Sequence, residues 1–368
     1  MNFDFSEDQQ NLRSEARRFL EARCPVATVR AVLDDGDTAY NRELWTSLVE
    51  QGWTALTIPE AYGGLGMGRV DLCVLAEELG RVLAPVPFAS TMYILAEALM
   101  IAGTAAQKTL LADIVQGTCI GCLAISEGPG DGALANLTTS VANGRLTGTK
   151  VPVTDGMTAT TALVAARSEG VVRLFLVDLD QPGVVRQSLQ TLDPSRDLAR
   201  IEFTEVHCEP IGDDMLIDRL LDGAAALFAF EQLGGADRCL ELAVEFAGMR
   251  YAFGRPIGSQ QAIKHKLADM YAKNQIARSN AYFGAWALEH GNTELPLAAA
   301  AARVSACDAF WFAARESIQT HGGIGFTWEA DQHLFYRRAL QLDMVIGAVP
   351  IWRERLVTAL EQTHAGDH

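Results

Sequence analysis

Three groups of residues in this chain have types and spacings that could do chemistry. The first lies in the stretch Met249–His265, where Arg250, Phe253 and Gln261 bring a cation, an aromatic ring and a carboxamide close together. A guanidinium can grip a phosphate through two parallel hydrogen bonds, a ring can cover a planar heterocycle, and an amide can pair with an exocyclic group. The plainer alternative is a surface Arg beside a core Phe at an ordinary helix break. The second group is Gln319-Thr320-His321-Gly322-Gly323. Consecutive glycines let a ligand approach the backbone and leave N–H groups for phosphate or carbonyl oxygens. A glycine helix stop is the competing reading, with His321 as a local hydrogen-bonding residue rather than a base. The third group is Ser126 and Thr154, each ending a predicted strand. Two hydroxyls at one rim could bond a heteroaromatic ring, although strand-end hydroxyls also satisfy their own backbone. No His or carboxylate spacing points to a metal, and no G-x-S-x-G marks a nucleophile. Cys119 and Cys122 form an isolated C-x-x-C on a predicted strand, where the odd offset puts them on opposite faces.

These residues need elements to position them. Gly254 ends a long helical pattern, Leu216–Met249, and Pro256 and Gly258 punctuate a turn. Arg250 and Phe253 are expected on the last turn of that helix, on nearly the same face, with Ser259 capping the next helix and Gln261 in its first turn. Gln260–Glu289 and Leu297–Gln319 are further long helices, the latter apolar on most faces, followed by Ala330–Met344 and Pro350–Gln362. Ser6-Glu7-Asp8-Gln9 reads as a capping box opening a first helix. Residues 1–117 read as all-α. Residues 118–213 read as short strands with turn residues between them, including a hairpin at Asn143-Gly144, and imply an antiparallel barrel or sandwich. Residues 214–368 are helical again. The expected fold class is mainly α with a central β-domain, in three domains: 1–117, 118–213 and 214–368. Gly128-Pro129-Gly130-Asp131-Gly132-Ala133 resembles a dinucleotide fingerprint. A hairpin rather than a helix follows it, which removes the phosphate-binding helix end that motif needs.

The chain has 368 residues, 49% of them hydrophobic and 21% charged, enough for a large core and several domains. A net charge of −16 with no Lys/Arg run excludes nucleic-acid binding as a function class. An anionic ligand would depend on local cations such as Arg250, Arg255, Lys264 and Lys266. The acidic start Met1-Asn2-Phe3-Asp4 shows no signal peptide, no uninterrupted apolar run reaches membrane-spanning length, and seven scattered cysteines suit a reducing cytoplasm.

Taken together, the motifs resemble the acyl-CoA dehydrogenase family. The resemblance covers nearly the whole chain. Arg250-x-x-Phe253-Gly254 with Gln261, and Gln319-x-x-Gly322-Gly323, look like that family's flavin-clamping signatures. Pro59-Glu60-x-x-Gly63-Gly64-Leu65-Gly66 looks like its N-domain marker, and Tyr336-Arg337 like the approach to its C-terminal catalytic loop. The resemblance implies a C-terminal four-helix bundle, FAD, and an acyl-CoA thioester desaturated between its α and β carbons. It further implies electron-transfer flavoprotein as acceptor and a homo- or hetero-oligomer, dimer or tetramer. Ser126 and Thr154 would face the isoalloxazine. Arg250, Phe253, Gln261, Gln319, Gly322 and Gly323 would complete the FAD site across a subunit boundary. The departures concern the base. The family's usual position falls on Ile346 and its earlier-helix alternative on Ala224, both apolar, and an aromatic residue that usually backs the flavin appears as Pro152. Asp343, three residues before Ile346, and Glu231, seven residues after Ala224, are other candidate carboxylates, and the catalytic residue is unknown. A partner subunit lacking its own base is the alternative reading.

Overall fold

The computed structural model describes residues 5–35, 39–129 and 134–365; positions 130–133 of the rejected fingerprint lie outside the described residues. In chain order the helices are α1 (Glu7–Arg23), α2 (Val26–Asp35), α3 (Arg42–Glu50), α4 (Arg69–Arg81), α5 (Glu97–Ala102), α6 (Leu110–Val115), α7 (Leu216–Met249), α8 (Gln261–Glu289), α9 (Leu295–His321), α10 (Gln332–Leu342) and α11 (Val349–Ala365). The strands are β1 (Gly121–Ala124), β2 (Ser140–Ala142), β3 (Arg145–Thr154), β4 (Thr161–Ser168), β5 (Val171–Asp178), β6 (Val184–Ser188), β7 (Leu198–His207), β8 (Glu209–Ile211), β9 (Tyr251–Ala252) and β10 (Arg255–Pro256). Close packing groups them into two units, one of Met1–Val26, Arg69–Ala84 and Ala225–His368, the other of Ala27–Gly68 and Pro85–Ala224.

The first unit is helical. Ser6 caps α1 reciprocally with Gln9, as the capping box predicts. Where α4 crosses α7, two glycines face each other's backbone. A Cβ on Gly80 would lie 1.9 Å from the Glu231 carbonyl oxygen, and one on Gly234 would lie 1.9 Å from that of Glu77. No other residue fits at either position. The crossing also buries Glu77 and Glu78. Glu77 is paired with Arg13 and with Arg278 at 3.0 Å, and Glu78 with Arg17 at 2.7 Å. Buried carboxylates persist only when paired and hydrogen-bonded in this way. Small residues bring α7, α8 and α9 together as well: a Cβ on Gly284 would come 3.3 Å from the Cβ atoms of Ala226 and Ala302. Together with the turn that follows it, α9 is long and apolar enough to cross a membrane by length and composition, whereas the sequence reading expected no such run. All of its alanines from Ala298 to Ala314 except Ala301 are buried among the other helices, which accounts for the apolarity.

The second unit carries the sheet, ordered β6-β7-β3-β2-β4-β5-β8 with β1 added on β4. Most pairings are antiparallel, but β4 takes β1 and β2 as parallel neighbours, so the sheet is mixed. The β2–β3 hairpin turns at Asn143 and Gly144 with φ of +52° and +71°, as Asn-Gly predicts. Between Lys150 and Val153 the β3–β7 register slips. Burial changes phase there: Lys150 points inward above the slip, Val153 below it. The slip turns Thr154 to the half-exposed face. In the Pro59–Gly66 segment, Gly63 and Gly66 adopt φ of +83° and +62°, and Gly64 lies against the Ile58 carbonyl.

Candidate functional site

Helix α7 stops one residue before Arg250, and the chain turns at once into the β9–β10 hairpin. Phe253 and Gly254 form its tip with φ of +54° and +78°, both left-handed as a type I′ turn requires. Arg250 and Phe253 therefore do not share a last helical turn; helical spacing continues only to Met249. The Arg250 N–H still donates to the Phe246 carbonyl at 2.9 Å, while the Ile257 N–H donates to the Arg250 carbonyl at 2.7 Å. This second bond folds the hairpin back against the helix end and leaves the Phe253 ring 98% exposed. Ser259 does not cap α8 either. Its hydroxyl donates to the Pro256 carbonyl at 2.7 Å, and Gln260 takes the cap position without a side-chain bond.

Arg250 lines a cavity of about 520 Å³ together with Phe246, Ile257, His321, Gly322 and Gly323. Gly322 ends α9 at φ +62°, its N–H donating to the Gln319 carbonyl, and a Cβ on Gly322 or Gly323 would meet nothing within 4 Å. The bare backbone thus faces open space rather than a packed neighbour. His321 accepts or donates locally on both sides. Its Nδ1 lies 2.7 Å from the Ser317 carbonyl and its Nε2 3.0 Å from Gln332 Nε2. That pattern places the proton on Nδ1, with Gln332 donating to Nε2, and the ring lies 4.3 Å from that of Phe246, tilted by 31°. Arg250 makes no side-chain ion pair among the described residues, whereas Arg255 is held by Gln260 at 2.6 Å and Lys266 by Glu316 at 2.7 Å. The sequence groups Arg250, Gly322 and Gly323 are thereby brought together. Phe253, Gln261 and Gln319 are exposed and lie outside the cavity lining. Phe246 was not singled out in the sequence, although its place one helical turn before Arg250 is the signal that would have found it.

In the sheet unit, Ser126 follows β1, and its carbonyl accepts the Val151 N–H at 2.9 Å, so it stands beside β3. Thr154 ends β3 about 10 Å further along, at strand rise. The Ser126 hydroxyl has only long contacts with Gly128, 3.4 and 3.5 Å, and the Thr154 hydroxyl has no partner among the described residues. Pro152 is exposed on the same strand.

The positions where a base was sought are closed. Ile346 is 2% exposed, with its carbonyl held by Trp352 Nε1 at 3.2 Å, and Ala224 is fully buried. Asp343 caps the end of α10, and the Gln232 amide approaches its carboxylate at 3.5 Å. Burial pushes its carboxyl up from the ordinary range, against the opposing pull of Cys307 and Arg303. Glu231 is buried on α7, 4.0 Å from Arg338. Neither carboxylate lines the Arg250 cavity.

Known proteins place the chain. Residues 6–118 match the model of the acyl-CoA dehydrogenase N-terminal domain, and residues 215–360 that of the acyl-CoA dehydrogenase C-terminal domain. The chain is 36% identical over 334 residues to acyl-CoA dehydrogenase IpdE2 of Mycobacterium tuberculosis, covering 90% of this chain and 91% of the relative. It is 32% identical over 355 residues to FadE34 of the same organism, covering 95% of this chain and 47% of that longer protein. Among solved structures, the fold is similar to a chain of the ChsE4-ChsE5 complex from M. tuberculosis. There the TM-score is 0.90 and the identity 27%, over 98% of this chain and 99% of that one. Butyryl-CoA dehydrogenase from Megasphaera elsdenii gives a TM-score of 0.90 at 25% identity, over 98% and 100%. By the two family models, and by identity sustained along nearly its whole length, the chain belongs to the acyl-CoA dehydrogenase family.

Proposed function

We propose that this chain, an oxidoreductase on acyl-CoA by its family, binds FAD at a site completed between subunits. The observation that carries this reading is the Arg250 cavity. A guanidinium with no ion pair among the described residues, two glycines whose bare backbone faces open space, and an aromatic ring held outward on a hairpin all stand at one helix junction. This donor set fits a dinucleotide. Arg250 would hold a phosphate, Gly322 and Gly323 would admit the ligand against their N–H groups, and Phe253 would cover a ring on the neighbouring subunit. Gln261 and Gln319 would supply amide contacts, and Ser126 and Thr154 would bond the edge of the isoalloxazine. Bound FAD would supply the hydride acceptor for α,β-desaturation. The residues of the chain then orient the flavin and exclude water around it. Electron-transfer flavoprotein is the proposed acceptor, the cytoplasm the proposed location, and 1–117, 118–213 and 214–368 the proposed domains.

A second reading is favoured by a specific observation: both base positions are apolar and buried, and Asp343 and Glu231 are engaged with protein groups. General-base action needs hydrogen-bond reach to the α-carbon proton. In this reading the chain supplies trans contacts to FAD while a paralogous subunit supplies the carboxylate. The similarity to a chain of a two-component complex supports it. Purification with and without a co-expressed paralogue tests both, reading flavin per chain and bleaching of the flavin band by acyl-CoA. Bleaching by the chain alone establishes the self-sufficient enzyme; Asp343→Asn and Glu231→Gln then identify the base. Bleaching only with the paralogue establishes the second reading. Colourless protein under both conditions overturns FAD binding.

A further inference from the structure

Ser126 and Thr154 share a local pattern beyond their hydroxyls: each is followed by a carboxylate that turns inward and meets a buried cation. Glu127 accepts from Lys150 Nζ at 2.9 Å, and Lys150 is 0% exposed. The same ammonium reaches the Ile125 carbonyl at 3.4 Å, so one lysine brackets Ser126 from both sides. Glu127 is further fixed by the Thr138 N–H at 2.7 Å, the Thr138 hydroxyl at 2.6 Å and the Thr139 N–H at 2.9 Å. Asp155 accepts from Arg196 Nη2 at 2.8 Å and from the Ser90 hydroxyl, with both members of the ion pair buried. Its own N–H donates to the Asp197 carbonyl at 3.0 Å. The Asp197 carboxylate then accepts the Met157 N–H at 2.9 Å and the Thr158 hydroxyl at 2.7 Å, closing the turn after Thr154.

Asp155 has φ +58°, a left-handed conformation that a side-chain-bearing residue keeps only when its surroundings hold it. The ion pair with Arg196 supplies that restraint directly behind Thr154. A buried pair contributes little net stability against an apolar substitute but fixes geometry, because either member alone is left as an uncompensated charge. The surface consequence is specific. The two half-exposed hydroxyls on the rim are attached to backbone that cannot shift, although neither hydroxyl is itself held tightly.

We infer that Glu127–Lys150 and Asp155–Arg196 are positioning pairs that fix in advance the backbone carrying the Ser126 and Thr154 hydroxyls, so that the two are presented to a planar heteroaromatic ligand. This rests on the reading of those hydroxyls as flavin-facing. Preorganisation of this kind strengthens binding by removing the ordering that a mobile rim would undergo on contact.

Asp155→Asn is the informative variant. Asn tolerates positive φ and keeps an acceptor for Ser90, but loses the charge that holds Arg196. The protein, with its partner subunit if flavin retention needs one, is stripped of flavin and titrated with FAD. Affinity and the visible circular dichroism of bound flavin are both read. Asp155→Asn is expected to weaken FAD binding about tenfold and to alter the flavin spectrum as Thr154→Ala does. The double variant is expected to be no worse than the more affected single one, because both act through one hydroxyl. Lys150→Met is expected to behave likewise with Ser126→Ala, and Lys150→Arg to restore most of the affinity. Additive losses, or a lowered melting temperature with unchanged flavin affinity and spectrum, would overturn the positioning role while leaving the hydroxyl contacts standing. Unchanged affinity and spectrum in both Ser126→Ala and Thr154→Ala would instead remove the flavin-facing reading, and the positioning role with it. If Asp155→Asn does not fold, the Lys150→Met and Lys150→Arg comparison decides the question alone.

Discussion

Replacing Phe253 with Asn should make the flavin-free chain more stable and its flavin binding weaker. The ring sits at φ +54° with 98% of its surface exposed, so within one chain it carries backbone strain and no compensating packing. Asn-Gly is the pair that type I′ turns favour, and relief of the left-handed strain is expected to stabilise the hairpin by about 1 kcal/mol. In the FAD-loaded assembly the ring becomes a contact. A Phe ring that buries on the order of 100 Å² of its surface contributes about 2.5 kcal/mol at ~25 cal/mol per Å². Its loss corresponds to roughly 50-fold weaker FAD binding, since about 1.4 kcal/mol is a factor of ten. Urea unfolding of the flavin-stripped protein measures the first effect, and fluorescence titration with FAD the second. The two should move in opposite directions. A variant less stable when flavin-free, or one that binds FAD as tightly as the parent, would refute the assignment of Phe253 as a strained outward contact.

Three further outcomes follow from the packing. Gly80→Ala or Gly234→Ala should destabilise the helical unit by about 3 kcal/mol or more in urea unfolding, because the added methyl meets a carbonyl oxygen and not a flexible side chain. Glu77 is buried, which alone would raise its carboxyl, but Arg278 and Arg13 more than offset this and hold it below the ordinary 4.5. The folded state therefore binds that proton less readily than the unfolded chain. Its stabilisation is complete above about pH 4.5, is lost as pH falls through the lowered value, and should flatten over that acid range in Glu77→Gln. All seven cysteines are buried, and burial pushes the Cys24 and Cys307 thiols up to about 12. An alkylating reagent at neutral pH should leave the native protein nearly unlabelled and modify all seven after denaturation.

Long periodic elements were the most legible part of the fold. Leu216–Met249 reads as one helix and is one, because its apolar residues run unbroken until the glycine-rich exit. Asn143-Gly144 likewise sets its hairpin by local chemistry alone. Helix α2 gives a weak local signal because Val26, Thr28, Val29 and Val32 are β-branched; tertiary packing overrides that preference. Parallel neighbours for β4 could not be read, since strand partners depend on contacts distant in sequence. At the site, residue types were legible and their placement was not. Phe253 continues the helical spacing of Arg250, yet two successive positive φ values put it on a hairpin. The pairs behind Ser126 and Thr154 join residues that no short motif connects. Ser126 and Thr154 stand out by their own hydroxyls, whereas Lys150 meets Glu127 only because β3 runs beside that segment, and Arg196 meets Asp155 only because β7 pairs with the end of β3.

The two-part packing also constrains how the chain can be synthesised. Arg278 reaches Glu77 across 201 residues of sequence, and all of β1–β8 is made in between. At about 5–20 residues per second, α4 emerges from the ribosome some ~10–40 s before the stretch of α8 that carries Arg278. Throughout that interval Arg13 and Arg17 of α1 can already meet Glu77 and Glu78, but the side of α4 that α7 and α8 cover stays open. The sheet can form while the helical unit waits, so a nascent chain stalled before Arg278 should be a client for chaperones rather than a half-finished enzyme.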